Sequence, residues 1–233
     1  MITKRDIVEI LNKLKGSEDK FKPYLSEAQF QFELAWELQK NQENYGIEKI
    51  LLEYTACAKQ ETDEKRKKRF ESDIIVLFKD KTYIAIELKY KTSEAKINDI
   101  SLVQQAGQPG TKYDYLWDIH RIELLMKKQE GYEYYINDYT CVGGYAIFLT
   151  NDASYYNDVK DESTTAYHFR LCNGRKPKGE LTWNVNPGEQ KDWMKSREKF
   201  TLLGEYEMQW EVYYTYRPKN KEKYFKYLVT EIK

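Results

Sequence analysis

A chain of 233 residues is long enough for one domain with a sizeable core, or for one domain with an addition. Its 38 lysines and arginines equal its 38 aspartates and glutamates, so no global positive charge indicates tight nonspecific binding to nucleic acid. It has no apolar run long enough to cross a membrane and no Walker A, GxGxxG or GxSxG motif, which argues against nucleotide-driven motors, dinucleotide enzymes and α/β-hydrolases.

The N-terminal segment predicts an amphipathic helix rather than a secretory leader, because its apolar residues recur at helical spacing among charges. These residues are Ile7, Ile10, Leu11 and Leu14. The three cysteines lie far apart, without a Cys-x-x-Cys pair, at Cys57, Cys141 and Cys172. An odd number of separated cysteines is typical of free thiols in a reducing compartment, so we expect a cytoplasmic protein.

A second helix is predicted over residues 25–41. Ser26 is a suitable N-cap, and Glu27 in the first turn is a favourable charge at a helix N-terminus, worth about 0.3 to 1 kcal/mol. The predicted apolar face consists of Phe30, Leu34 and Leu38, widened by Phe32 and Trp36.

Two strands are predicted at residues 74–78 and 83–88, since both are runs of β-branched and aromatic residues. The polar residues 79–81 supply the turn between them. Asp73 and Glu87 are acids in otherwise apolar surroundings, where a carboxylate is costly unless it is paired or bound to metal.

The register of these strands decides whether the two acids meet. If Phe78 pairs with Thr82 across a three-residue turn, Asp73 lies directly opposite Glu87, with Cβ atoms about 5 Å apart. A two-residue turn would instead pair Asp73 with Leu88 and send the acids to opposite faces. The sequence leaves both registers open.

In the first register Asp73, Glu87 and Lys89 share one face, because residues two apart on a strand point the same way. Two carboxylates suit Mg²⁺ or Mn²⁺, which would stabilise charge on a phosphodiester under attack. The lysine would orient a water, steady the anionic transition state or, if it loses its proton, act as base. The alternative is an ordinary solvated face of a half-exposed sheet.

Asp73, followed after 13 residues by Glu87-Leu88-Lys89, resembles the motif of the PD-(D/E)XK nuclease superfamily, which includes Holliday-junction resolvases and many restriction enzymes. Ser72 stands where the motif has proline. The resemblance implies a restriction-endonuclease-like α/β fold, with a mixed central sheet flanked by helices. It also implies Mg²⁺-dependent hydrolysis of DNA phosphodiesters, with Asp73 and Glu87 as metal ligands and Lys89 near the attacking water.

The same family implies an acidic residue on a helix before the first strand of the motif. We assign this role to Glu27, with Glu33 as the second choice. Alternatively, Glu27 serves only the N-terminus of its helix.

The polar segment after residue 101 predicts a loop and then a helix that begins near Thr111, a possible cap. The predicted apolar face of this helix consists of Tyr115, Ile119, Ile122 and Leu125 or Met126. Gln104 or Gln105 would contact a substrate phosphate, order the active-site helix or simply satisfy loop backbone.

This segment also resembles a group of bacterial PD-(D/E)XK-like proteins without a settled activity, and the second half of the chain resembles the same group. The matching positions are Gln108, Tyr113, Asp114, Asp118 and Arg121. We take Tyr113 as a further candidate for substrate binding.

Residues 143–149 predict a fourth apolar strand near the centre of the sheet. Asn151 and Asp152 end it, where they would form either a turn or a ligand site at the carboxyl end of a strand. Residues 1–172 are expected to form the nuclease-like core and residues 173–233 a β-rich C-terminal extension packed on it.

Aromatic residues of the C-terminal region would either stack on unpaired bases or pack a small β-layer. They are Trp183, Trp193, Tyr206, Trp210, Tyr213, Tyr214 and Tyr216. The isolated His120 and His168 are expected to be structural.

Basic residues cluster at 65–69 and 217–226, so either segment could face phosphate or form a solvated loop. Lys67 and Lys68 are the candidates beside the predicted acids. The resemblance to the nuclease superfamily implies DNA as partner, and we allow for a homodimer. The competing function is a binding module for nucleic acid or protein that retains the nuclease fold without catalysis.

Overall fold

The computed structural model describes residues 1–17, 21–57, 69–127, 136, 138–218 and 221–233. The helices are α1 (Lys4–Lys15), α2 (Glu27–Lys40), α3 (Gln42–Tyr45), α4 (Gln108–Met126) and α5 (Asp192–Lys195). The strands are β1 (Ile47–Cys57), β2 (Arg69–Phe78), β3 (Thr82–Lys91), β4 (Ala95–Ile97), β5 (Ile100–Leu102), β6 (Thr140–Thr150), β7 (Gly179–Leu181), β8 (Phe200–Leu202), β9 (Trp210–Tyr216) and β10 (Lys223–Ile232).

Six strands form a mixed sheet in the order β1-β2-β3-β6-β10-β9. The pair β3 and β6 is parallel, and the other neighbours are antiparallel. Since parallel neighbours need a crossover connection, the chain between them carries α4 across one face of the sheet. The predicted mixed α/β architecture and the inner position of the strand over 143–149 are thus confirmed.

Helices cover both faces of the sheet. Alternate residues of β2 and β3, such as Ile74 and Ile86, pack with α1 and α2 in one core cluster. The residues between them, such as Ile75 and Ala85, pack with α4 in a second cluster. Burial on both faces explains why these strands are nearly continuous apolar runs.

The strands β2 and β3 pair in the register that a three-residue turn predicts. Their pairs run from Ile74 opposite Ile86 to Leu77 opposite Tyr83. The Lys81 N–H donates to the Phe78 carbonyl at 3.1 Å and closes the turn. The alternative register, with a two-residue turn, is excluded.

The helix α2 begins as predicted, because the Ser26 side chain accepts a hydrogen bond from the Gln29 N–H at 3.1 Å. The prediction that Phe32 and Trp36 widen its buried face is wrong. Both side chains are more than half exposed, and their rings stack on each other with centroids 6.3 Å apart. In a helix they lie about 200° around the axis from Phe30 and its stripe, so they face away from the sheet.

The helix α4 begins earlier than predicted. Gly107 is its N-cap, with a φ of 91°, a left-handed conformation that glycine adopts without a Cβ penalty. Pro109 occupies the first turn, where its missing N–H costs nothing. Thr111 is therefore not the cap, and its hydroxyl donates to the Gly107 carbonyl inside the helix.

The C-terminal region, residues 173–233, contributes strands to the main sheet. Its last two strands, β9 and β10, extend the sheet itself, and β10 lies directly beside β6. Residues of β10 are buried on both faces, Val229 with α1 and α2 and Leu228 with α4, so this strand belongs inside the sheet. Among the described residues of this region, the short strands β7 and β8 form a separate two-stranded sheet.

Packing accounts for most of the C-terminal aromatic residues. Four of them are buried, namely Trp183, Trp210, Tyr213 and Tyr216, while Trp193 is partly exposed. Within the described ranges no helix is both long and apolar enough to cross a bilayer.

Candidate functional site

Asp73 lies where β2 and β3 separate. β2 remains paired with β1 beyond this point, whereas its pairs with β3 end at Ile74 opposite Ile86. The next position in this register sets Asp73 opposite Glu87. The Asp73 carboxylate turns to the open edge of β3 and accepts a hydrogen bond from the Leu88 N–H at 2.6 Å.

Glu27 reaches the same edge from α2. Its carboxylate accepts a hydrogen bond from the Tyr90 N–H at 2.6 Å. Backbone donors at two successive outward positions of β3, Leu88 and Tyr90, are thus satisfied by side chains rather than by a neighbouring strand. Glu33, the alternative helix acid, instead accepts from the Gln29 side chain at 3.0 Å. Of the two candidates, Glu27 is the one beside Asp73.

A buried glutamine fixes the backbone at Asp73. The Gln31 side-chain nitrogen donates to the Asp73 carbonyl at 2.6 Å and to the Glu53 carboxylate at 2.7 Å. Glu53 is on β1, between the pairs Leu52–Ile74 and Tyr54–Ser72, and therefore at the position opposite Asp73. Its φ of 48° is unusual for a residue with a side chain. Neither Gln31 nor Glu53 was recognised from the sequence.

Glu87 and Lys89 meet two charged residues of α4. The Lys89 ammonium lies 2.6 Å from one oxygen of Asp118, and Arg121 Nη2 lies 2.7 Å from the other. Arg121 Nη2 also lies 3.0 Å from Glu87 Oε2. Two acids and two cations therefore alternate through the interface of β3 and α4.

Glu87 is the most deeply buried carboxylate of this cluster, with 2% of its surface exposed. Arg121 engages Oε2, whereas Oε1 has no hydrogen-bond partner among the described residues. A buried carboxylate oxygen without a partner is unfavourable, and such atoms are rare in folded proteins. This oxygen is therefore a buried acceptor whose loss of hydration is not compensated among the described residues.

The surroundings favour the protonated forms of the acids. Burial raises the pKa of Asp73 to about 6, against the opposing effects of Lys89 and the Leu88 N–H. Burial and the nearby Asp118 raise the pKa of Glu87 well above its usual range, although Arg121 opposes the shift.

Lys89 shows the opposite balance. Burial would lower its pKa, but attraction to Asp118, Glu87 and Asp73 outweighs burial and raises the pKa above its usual value. Without a bound cation Lys89 is therefore an ammonium at neutral pH. This favours the role of orienting or stabilising a negative group over the role of a base.

The chemical type of two side chains matches the preference of a small divalent cation. Asp73 and Glu87 lie on neighbouring strands and carry the hard oxygen atoms that Mg²⁺ prefers, and Glu87 Oε1 has no hydrogen-bond partner among the described residues. The described residues contain no group of three or more histidines, cysteines, aspartates and glutamates arranged to hold a metal ion. A cation held by Asp73 and Glu87 would thus keep several waters, as Mg²⁺ usually does.

The remaining candidates for substrate binding are mostly engaged in structure. The Gln104 side chain donates to the Gln105 carbonyl, and the Gln105 side chain accepts from the Thr92 N–H. Tyr113 is buried, and its hydroxyl donates to the Glu198 carbonyl at 2.7 Å, a contact within the fold. Lys67 and Lys68 lie outside the described residues.

The two residues that end β6 also hold loops together. Asn151 accepts from the Ser93 N–H at 2.7 Å, and Asp152 accepts from the Ser154 N–H at 2.9 Å. These contacts support the turn rather than a ligand site. His120 packs against Phe200, which agrees with a structural role.

Asp118 and Arg121 lie beside the candidate acids, a placement that the sequence did not predict. The sequence marked them only as positions of the resembled bacterial group and as charged residues that follow one stripe, with Asp114, of an otherwise largely apolar helix. Comparison with known proteins adds nothing to this description, because no protein-family model, curated sequence or solved structure matches the chain.

Proposed function

We propose that the protein is a nuclease that hydrolyses DNA phosphodiester bonds with Mg²⁺ or Mn²⁺. The observation that carries this proposal is the buried, unpartnered Glu87 Oε1, on a strand whose register sets Glu87 opposite Asp73. Lys89 extends from the same face of β3. Two carboxylates and an ammonium in this arrangement match the chemistry that the Asp73 to Lys89 motif implies.

In this proposal Asp73 and Glu87 would hold the cation. Once bound, the cation would supply charge stabilisation and lower the pKa of a coordinated water. The Lys89 ammonium would orient the attacking water or stabilise negative charge on the phosphoryl oxygens. Glu27, bonded to the Tyr90 N–H, would complete or orient the site from the opposite layer.

A second candidate is a non-catalytic module that binds nucleic acid or protein. It is favoured by the internal pairing of the charges, since Glu87 pairs with Arg121 and Lys89 with Asp118. The formal net charge of zero also provides little general attraction for DNA. In this case the acids would be structural and the protein would not depend on a cation.

Titration with Mn²⁺ separates the two functions. Calorimetry on the wild type, Asp73→Asn and Glu87→Gln should show binding only in the wild type. Asp192 is a solvent-exposed acid on α5, so Asp192→Asn is the matched control and should bind like the wild type.

The same proteins should be assayed for cleavage of duplex, single-stranded and branched DNA. Metal-dependent nicking that both site variants lose would establish the nuclease. Binding without cleavage of any of these substrates would point to another substrate or a missing partner. Absence of Mn²⁺ binding, even with DNA present, would favour the recognition module.

A further inference from the structure

We infer that Asp118 and Arg121 form a positioning pair, which presents Glu87 Oε1 to the cation and holds the Lys89 ammonium beside it. The inference rests on the proposed function, because it assigns two residues of α4 to the same site. Neither residue needs to touch the cation or the substrate.

Arg121 decides which oxygen of Glu87 remains available. Its guanidinium donates to Oε2 at 3.0 Å, and no group in the described part of the chain pairs with Oε1. Bonds of this kind orient metal-binding carboxylates, and loss of such outer partners typically lowers metal affinity about 10- to 100-fold. The arginine thus fixes the carboxylate without occupying the oxygen that faces a ligand.

The same guanidinium joins α4 to both strands of the motif. Nη1 donates to the Glu71 carbonyl at 2.8 Å, two residues before Asp73 on β2. Nη2 donates to Glu87 on β3 and to Asp118 on its own helix. A planar group with several fixed donors can hold these acceptors together, which a lysine cannot do as well.

Asp118 links the two cations. One of its oxygens lies 2.6 Å from Lys89 Nζ, and the other accepts from Arg121 at 2.7 Å. Because Asp118 and Arg121 are three residues apart, both project from one face of α4 toward β3. The aspartate therefore sets the position of the Lys89 ammonium relative to Glu87.

The test compares Mn²⁺ affinity among folded variants. Arg121→Met removes the guanidinium donors while keeping a side chain of similar length, and Arg121→Lys keeps the charge. Asp118→Asn removes the negative charge and one of the two acceptor oxygens, so it can no longer accept from both Lys89 and Arg121. The control is Arg197→Met. Arg197 lies outside α4 and makes two hydrogen bonds to Asp114 of that helix, but none to Glu87. Calorimetry without DNA gives the affinity, and circular dichroism reports the folded fraction.

We expect Arg121→Met to bind Mn²⁺ about 10- to 100-fold more weakly than the wild type, and Asp118→Asn to follow in the same direction. Arg121→Lys should lie between them and the wild type, while Arg197→Met should match the wild type. A purely structural role would lower stability yet leave the affinity of the folded protein unchanged.

Equal or tighter binding by Arg121→Met would overturn the inference and leave the proposed function intact. Tighter binding would mean that Arg121 competes with the cation for Glu87. If Arg121→Met does not fold, Arg121→Lys decides, since wild-type affinity in that variant would also overturn the inference. Absence of Mn²⁺ binding by the wild type would overturn both the inference and the proposed function.

Discussion

The substitution Asp73→Asn should stabilise the protein when no divalent cation is present. In the fold, burial raises the pKa of Asp73 from its usual 3.8 to about 6, so the folded state favours the protonated carboxyl. Asparagine has nearly the same shape and no charge. Its carbonyl oxygen can still accept from the Leu88 N–H, the contact that Asp73 makes at 2.6 Å.

The size of the effect follows from the pKa difference between the unfolded and folded states. A shift of about two units corresponds to about 3 kcal/mol, because each unit is worth about 1.36 kcal/mol. Since the folded state binds the proton more tightly, the stability of the wild type falls as pH rises from about 4 to about 6 and then levels off. Asp73→Asn should therefore be more stable by about 2 to 3 kcal/mol at pH 7.5 and nearly equal to the wild type below about pH 4.

Urea unfolding in EDTA, at several pH values between 4 and 7.5, measures this difference directly. Asp192→Asn serves as control and should change little, because its carboxylate is exposed. With Mn²⁺ at about 100 times its dissociation constant, the wild type should gain about 2.7 kcal/mol and Asp73→Asn should gain little. The stability advantage of the variant would then largely disappear.

Two results would refute this reasoning. A variant less stable than the wild type at pH 7.5 in EDTA would mean that the fold stabilises the ionised Asp73. A difference that persists unchanged at pH 4 would mean that it does not arise from the charge. Either result would contradict the conclusion that burial disfavours the ionised Asp73, which is part of the argument for the proposed site.

Two further substitutions test contacts that hold α4, β3 and β6 in place around the site. Glu123→Ala should cost about 3 kcal/mol or more, because it leaves two backbone donors in segment 203–206 without their carboxylate. Burial alone would raise the pKa of Glu123, but its hydrogen-bond donors hold that pKa below its usual value. The cost measured by urea unfolding should therefore shrink as pH falls below about 4; a constant cost would contradict this account. Gly144→Ala should prevent folding, since its Cβ would lie 2.2 Å from the Ala85 carbonyl oxygen, whereas Gly188→Ala, with no atom within 4 Å, should keep the melting temperature of the wild type. A folded Gly144→Ala protein with an unchanged circular dichroism spectrum would show that β3 and β6 pack less closely.

The sequence reduced the register of β2 and β3 to two possibilities, because the turn involves only a few neighbouring residues, but it left the choice between them open. The structure decides it in favour of the three-residue turn over residues 79–81, which sets Asp73 at the position opposite Glu87. Alternation sets Glu87 and Lys89 on one face in either register. The cap at Ser26 could be predicted outright, since its hydrogen bond spans only three residues.

The partners of these residues could not be predicted, because they come from elements far away in the chain. Arg121 meets Glu87 only because the crossover lays α4 over one face of β3. The local sequence does not determine how α4 is rotated about its own axis, and so which of its residues face β3. Gln31 reaches the Asp73 carbonyl from the opposite layer. At Trp36 the apolar character of the residue and its neighbours predicted a place on the apolar face of the helix, but the side chain is exposed.

Among the described side chains, the charges around the end of β3 do not balance. These side chains comprise two cations, Lys89 and Arg121, and four acids, namely Glu27, Asp73, Glu87 and Asp118. The formal excess over these six residues is thus two negative charges, in a region where burial makes each charge costly. Burial and neighbouring acids raise the pKa of both Asp73 and Glu87. Protons therefore relieve part of this excess in the metal-free protein. A divalent cation would match the same excess and displace those protons, since carboxylates must be ionised to bind metal. The charge count and the unpartnered Glu87 oxygen therefore support the same ligand by independent physical routes.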